Sequence, residues 1–158
     1  MANKRISMAS DHAGYHLKEE LKEYLIESDY EIIDRGTFSA ESVDYPDYAV
    51  KTCQDVINES VDFGILICGT GLGMSITANK IKGIRAALCF FPEMARLARA
   101  HNDSNVLVLP GRFIAPELAK LVVQKFSETK FEGGRHLRRL EKISKLEKGG
   151  GENTENNL

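Results

Sequence analysis

No apolar run in the 158-residue sequence approaches the roughly 20 residues that a helical membrane span needs, so no membrane partner is expected. A charged leader followed by a long apolar segment is also missing. Met1–Arg5 runs into a short strand-like stretch and then into charge, so no secretory signal is expected. Cysteine is scarce. Cys53, Cys68 and Cys89 are odd in number and lack C-x-x-C spacing, which argues against a disulfide framework or a zinc cluster and fits a reducing cytoplasm. Nor does charge of one sign dominate: 21 basic and 23 acidic residues give a net charge of -2, which speaks against a general nucleic-acid binder. No Gly-Lys-Ser/Thr follows a glycine-rich segment, so a Walker A loop is excluded. What remains is the composition of one globular domain, with 42% hydrophobic residues.

The most informative segment is Phe63–Asn79, FGILICGTGLGMSITAN. Phe63–Ile67 fits a buried strand that ends on Cys68, and Gly69, Gly71 and Gly73 then lead into a helical stretch. That order puts a thiol at the carboxyl end of a strand, beside a turn whose N–H groups and helix start can hold an anion. A dinucleotide fingerprint does not fit, because Met74 occupies its third glycine position and the run follows the third strand.

Strands are predicted at Ile6–Ala9, Ile32–Asp34, Phe63–Ile67, Ile84–Leu88 and Val106–Leu109. Helical periodicity lies between them. It runs through Leu17, Leu21 and Leu25, from Tyr45 to Ile57 with Pro46 in the first turn, over Pro92–His101, and over Leu118–Phe126 behind Pro116. Cys53 falls on an apolar helical face and reads as packing. Such alternation predicts an α/β protein: a three-layer, Rossmann-like fold around a five-stranded parallel sheet, with its ligand site beyond the carboxyl ends of the strands. Those ends carry Asp11, His12, Cys68, Cys89 and Arg112.

Two features lie off that rim. His101-Asn102 closes the fourth long helix, where a histidine also complements the helix dipole. Arg135 and Arg139 fall one turn apart if a helix starts near Arg135, and paired guanidiniums suit a phosphate dianion. His12 and His16 have i, i+4 spacing without an acidic or cysteine partner, so no metal is expected.

In this order the motifs SDHAG (Ser10–Gly14), RGT (Arg35–Thr37), DYPDYA (Asp44–Ala49), GILICGTGLGMSITANK (Gly64–Lys80), GIRAALC (Gly83–Cys89), ARLARAHNDSNVL (Ala95–Leu107) and FEGGRH with Arg139 resemble the ribose-5-phosphate isomerase B family, shared with galactose-6-phosphate isomerase subunits. The resemblance runs from about Arg5 to Leu146. It implies an aldose–ketose isomerase of the non-oxidative pentose phosphate pathway, which opens the sugar ring and works through an enediolate without a cofactor. Cys68 corresponds to the base between C1 and C2, His101 to the acid for ring opening, and Thr70 to a member of the catalytic loop. The stretch Gly69, Thr70, Gly71, Leu72 and Gly73 matches the anion hole. Asp11, His12, Asn102, Arg112, Arg135 and Arg139 match substrate contacts. A second branch of the family uses glutamate at the position of Met74, and methionine takes no proton, so this chain resembles the cysteine branch.

The family further implies a homodimer with shared active sites, a tetramer being the larger alternative, and a C-terminal helix that extends to a partner subunit. Leu137, Leu140, Ile143 and Leu146 recur every three residues, a spiralling apolar band compatible with two contact surfaces. Residues 1–147 are expected to form the single isomerase domain and 148–158 a disordered tail. A hexose-6-phosphate (allose or galactose) isomerase is the nearest alternative. A non-catalytic sugar-phosphate sensor is the other.

Overall fold

In the computed structural model, which describes residues 4–149, five strands form one parallel sheet. They are β1 (Arg5–Ser10), β2 (Glu31–Asp34), β3 (Phe63–Cys68), β4 (Ala86–Leu88) and β5 (Val106–Pro110), in the order β2-β1-β3-β5-β4. The helices are α1 (Tyr15–Glu27), α2 (Tyr45–Ile57), α3 (Leu72–Asn79), α4 (Pro92–Asn102), α5 (Pro116–Glu128) and α6 (Arg135–Lys148).

Strand alternation divides the core in two. Ile6, Met8, Phe63, Ile65, Ile67, Leu107 and Leu109 face α1, α4 and α5, whereas Ala9, Leu66, Cys68, Val106 and Val108 face α2 and α3. Both faces are covered, which is why β3 reads as an uninterrupted apolar run rather than an alternating one. Cys53 lies in the α2 side of this core and is fully buried, as its periodicity implied.

The expected strand at Ile84–Leu88 starts two residues late. Gly83 has φ +85°, and the Asn105 side chain accepts from the Arg85 N–H and donates to the Gly83 carbonyl. The side chain thus takes the backbone groups that a longer ladder would have used. At the other end of the chain α6 runs through Lys148, so the helix continues past the boundary expected at 147. Residues 150–158 of the expected tail lie outside the described residues.

Buried charge ties the α1 and α2 layers to the sheet edge. Lys18, fully buried, reaches both Asp34 oxygens at 2.7 Å, and Lys22 reaches Asp34 at 2.8 Å. On the other face Arg35 makes a bidentate pair with Asp55, and the Ser7 hydroxyl donates to the same carboxylate at 2.7 Å. Desolvation pushes the Asp34 carboxyl up, but the lysines and the Gly36 N–H outweigh it and hold it low. Asp55 is held low by the Arg35 hydrogen bonds above all.

Carboxyls depressed in the folded state contribute stability that is complete above their unfolded value, about 4, and is lost as pH falls through the folded values. The melting temperature should therefore drop steeply below about pH 4. Asp55→Asn should cost roughly 1.5–3 kcal/mol at neutral pH and melt with a shallower acid dependence. Thermal melts from pH 7 to pH 2 check both. Parallel curves for the two proteins would contradict the assignment.

Candidate active site

The rim beyond the carboxyl ends of the strands is assembled by backbone clamps. The Cys68 carbonyl accepts from Gly111 N–H at 2.8 Å, and the Gly69 carbonyl accepts from Arg112 N–H at 2.9 Å. The turn after β5 therefore holds the turn after β3, and the Arg112 side chain lies over Gly69: a Cβ built there would be 3.3 Å from Nη1. Gly71 caps α3 with φ +77°, and a Cβ on it would come within 2.4 Å of Leu88 Cδ1, so this turn requires glycine. The Thr70 hydroxyl accepts from Leu72 N–H at 3.2 Å, which fixes the entry to the helix. The first-turn amides of Gly73 and Met74 have no partner within the helix, and the positive end of its dipole adds to them.

From the neighbouring strand, Asp11 Oδ1 accepts from Gly14 N–H at 3.0 Å and Asp11 N–H donates to the Ile67 carbonyl at 3.1 Å. His12 Nδ1 accepts from Val43 N–H at 3.3 Å. In the neutral ring the proton then sits on Nε2, which remains a donor for a ligand. His12 belongs to the turn before α1, and His16 is exposed on that helix, so the two do not share the helical face that their spacing suggested.

Cys68, 4% exposed, is packed on the α2 and α3 side with Met74. Burial pushes the thiols of Cys53 and Cys89 up to about 12, which leaves both protonated at neutral pH. Tyr45, read from sequence as part of the α2 face, stands over the loop instead: a Cβ on Gly73 would lie 2.6–2.9 Å from its ring atoms. Its position at the first turn of α2, beside Pro46, was the available signal.

His101, Asn102, Arg135 and Arg139 form a second group. α4 runs back against the strands, so its last turn reaches the amino-terminal edge of the sheet, where Asn105 accepts from Gly64 N–H at 3.0 Å. Cys68 lies at the other end of the same strand, about 13 Å away at the usual rise per residue. Within one chain the structure gathers Cys68, Gly69–Gly73, Asp11, His12 and Arg112, and it separates them from the His101 group.

That second group contains two residues the sequence reasoning missed. His101 and His136 stack with ring centroids 4.1 Å apart and an 11° angle between planes. Glu132 Oε2 is 3.6 Å from His101 Nε2 and 3.7 Å from His136 Nε2. Desolvation above all, with His101, Arg135 and Arg139 nearby, lowers the His136 pKa against the pull of Glu132. Glu132 and His136 are four residues apart, a spacing that could have paired them. Among the described residues, these three side chains are the group whose metal-ligating atoms all lie within 4.8 Å of one another. Arg135 and Arg139 are exposed in the first two turns of α6, as expected.

Fold and rim together define an α/β protein of the doubly covered parallel type, with a thiol beside a glycine-rich turn and helix start at the strand ends. The family model described as Ribose/Galactose Isomerase matches residues 6–143, and the chain belongs to that family. It is 48% identical over 144 residues to ribose-5-phosphate isomerase B of Escherichia coli, covering 91% of this chain and 97% of that protein. A crystal structure of a ribose 5-phosphate isomerase from Thermotoga maritima superposes with TM-score 0.89 at 59% identity, covering 90% of this chain and 98% of that one. Ribose-5-phosphate isomerase B from Mycoplasma genitalium, solved with bound ribulose-5-phosphate, superposes with TM-score 0.87 at 41% identity over 92% of this chain and 97% of that one.

Proposed function

We infer that this protein interconverts ribose 5-phosphate and ribulose 5-phosphate, the aldose–ketose isomerisation of the non-oxidative pentose phosphate pathway. The observation that carries the inference is Cys68 at the end of β3, running directly into a glycine-capped helix start. A thiolate there can take the proton from C2 of the open aldose, and the negative charge then develops on the oxygens at C1 and C2. Preorganised amides of the Gly69–Gly73 loop stabilise that enediolate without reorganising. The hydroxyl proton of O2 passes to O1 and the abstracted proton returns to C1, which gives the ketose, so the reaction balances within the sugar and the thiol. Thr70 holds the loop, and Tyr45 walls it.

His101 is the acid that assists ring opening, and Asn102 contacts the sugar beside it. Arg112, Arg135, Arg139 and His12 bind the phosphate, while Asp11 contacts the sugar. Remote phosphate binding anchors the reacting carbons near the sulfur.

The separation of the two groups within one chain supports a shared site, with Cys68 from one subunit and His101, Asn102, Arg135 and Arg139 from a second copy. Apolar surface supports the same reading. Leu72 and Ile76 on α3 are 57% and 62% exposed, and Leu146 on α6 is 62% exposed. Of the α6 band only Leu140 is buried. An open groove of about 780 Å³ runs between α6 and the β4 edge, lined by Ile84, Ala86, Leu140, Ile143 and Leu146. A second copy that fills it would bury these residues and bring its own tail to the rim. Among the described residues no helix is long and apolar enough to cross a membrane. Action in the cytoplasm fits the three unpaired thiols.

A coupled isomerase assay with ribose 5-phosphate, allose 6-phosphate and galactose 6-phosphate tests the substrate. Ribose 5-phosphate should give the highest kcat/KM. Preference for either hexose would make the chain a hexose-6-phosphate isomerase, and inactivity on all three would favour the sensor.

A further inference from the structure

Glu132 and His136 have no part in the reaction as described, yet both meet the imidazole of His101. Glu132 is anchored where it must be to serve that ring: its N–H donates to the Ala100 carbonyl at 3.0 Å, one residue before His101. Its carboxylate then lies within 3.7 Å of both Nε2 atoms. Two imidazolium charges on rings stacked 4.1 Å apart would repel strongly, so the pair has room for one positive charge. His136 is the poorer host for it. Its side chain is 8% exposed against 34% for His101, and the positive charges of Arg135 and Arg139 on its own helix disfavour a further proton there. On α4, Glu93 is engaged by Arg96 and leaves Glu132 as the carboxylate at the pair.

A shared metal ion suits this arrangement poorly. An ion held by both rings must lie near the plane of each, about 2.0–2.1 Å from each nitrogen. Parallel rings stacked 4.1 Å apart direct their lone pairs side by side instead. A proton on one ring needs no such convergence.

We propose that Glu132 and His136 are positioning residues for the ring-opening acid: the Glu132 carboxylate faces the Nε2–H of protonated His101, and the neutral His136 ring fixes its plane, which leaves Nδ1–H for the sugar. In the step this serves, the C1–O4 bond breaks and the Nδ1 proton moves to O4. The anomeric hydroxyl gives its proton to water, and His101 regains one from water, so the net change is ring opening alone. The proposal rests on the reading of His101 as the ring-opening acid.

The test compares two reactions of the full-length enzyme. Turnover of ribose 5-phosphate requires ring opening. Solvent-deuterium exchange into C1 of ribulose 5-phosphate, followed by proton NMR, requires the thiol and the enediolate but no ring, because a ketopentose with its O5 phosphorylated is open-chain. Glu132→Gln should lower kcat for ribose 5-phosphate roughly 10- to 100-fold, as misplacement of a catalytic group does, with KM within about twofold and exchange within about threefold of wild type. Glu132→Asp should recover most of the loss. His136→Phe, which keeps the stacked ring, should retain more turnover than His136→Ala. Glu132 is 53% exposed, so the glutamine variant tolerates folding, which a thermal melt verifies. Unchanged turnover in Glu132→Gln would overturn the proposal, and so would an equal loss in both reactions. His101→Ala with full turnover would instead remove the reading on which it rests.

Discussion

Cys68→Ala is expected to fold normally and to lose roughly 10²–10⁴-fold in turnover, the usual scale for removing a general base. The physical reason is placement. Cys68 is the one cysteine at a strand end that continues into the glycine-capped helix start. Cys53 is fully buried on the inner face of α2, and Cys89 is 1% exposed with its Sγ directed at the Ala87 carbonyl 3.7 Å away. Burial holds both of those thiols at about 12, far from a working base at neutral pH. Cys53→Ala and Cys89→Ala should therefore keep most of the activity. Steady-state rates of the three purified variants decide the matter. A dead Cys89→Ala beside a near-normal Cys68→Ala would move the base to β4.

Mixing two inactive variants should restore activity. In the proposed shared site Cys68 supplies the thiol, and Arg135 and Arg139 bind the phosphate, so Cys68→Ala would remove the first and Arg135→Ala/Arg139→Ala the second. In a two-fold dimer with sites shared between subunits, a mixed pair has one intact site and one doubly damaged site. With random exchange about half of the dimers are mixed, so activity should recover to about a quarter of the wild-type value. Arg139→Ala alone removes hydrogen bonds to a charged group worth ~1.5–3 kcal/mol, so substrate binding should weaken roughly ten- to a hundredfold. Exchange that is demonstrated by mass-tagged subunits, without recovery of activity, would rule out sharing.

Most of the rim was legible because it is local. A strand followed by Cys68, Gly69, Gly71 and Gly73 dictates its own turn, since the left-handed φ at Gly71 and the approach of Leu88 admit no side chain. The fifth strand and Arg112 follow by the same α/β logic, although the clamp between Gly69 and Arg112 spans residues that no periodicity connects. Tyr45 was misjudged for a related reason. Its 3.6-residue spacing fits the apolar face of α2, but the first turn of that helix projects beyond the sheet and over Gly73.

His101 shows the opposite case. Its place on α4 was read correctly, and the reading put it off the rim, yet nothing local pairs it with Glu132 and His136 more than thirty residues away. Sequence by itself determined the parallel α/β sheet, the thiol-and-glycine turn and the two basic residues one helical turn apart, because each depends on contacts within a few residues or on periodic burial. Tertiary structure decided which of these groups meet: it clamped the two turns at the strand ends, stacked the two imidazoles over one carboxylate, and set them a strand's length from Cys68. Those distances depend on how α4 docks on the core and α6 on α4, and docking is a sum of long-range contacts that no local pattern encodes.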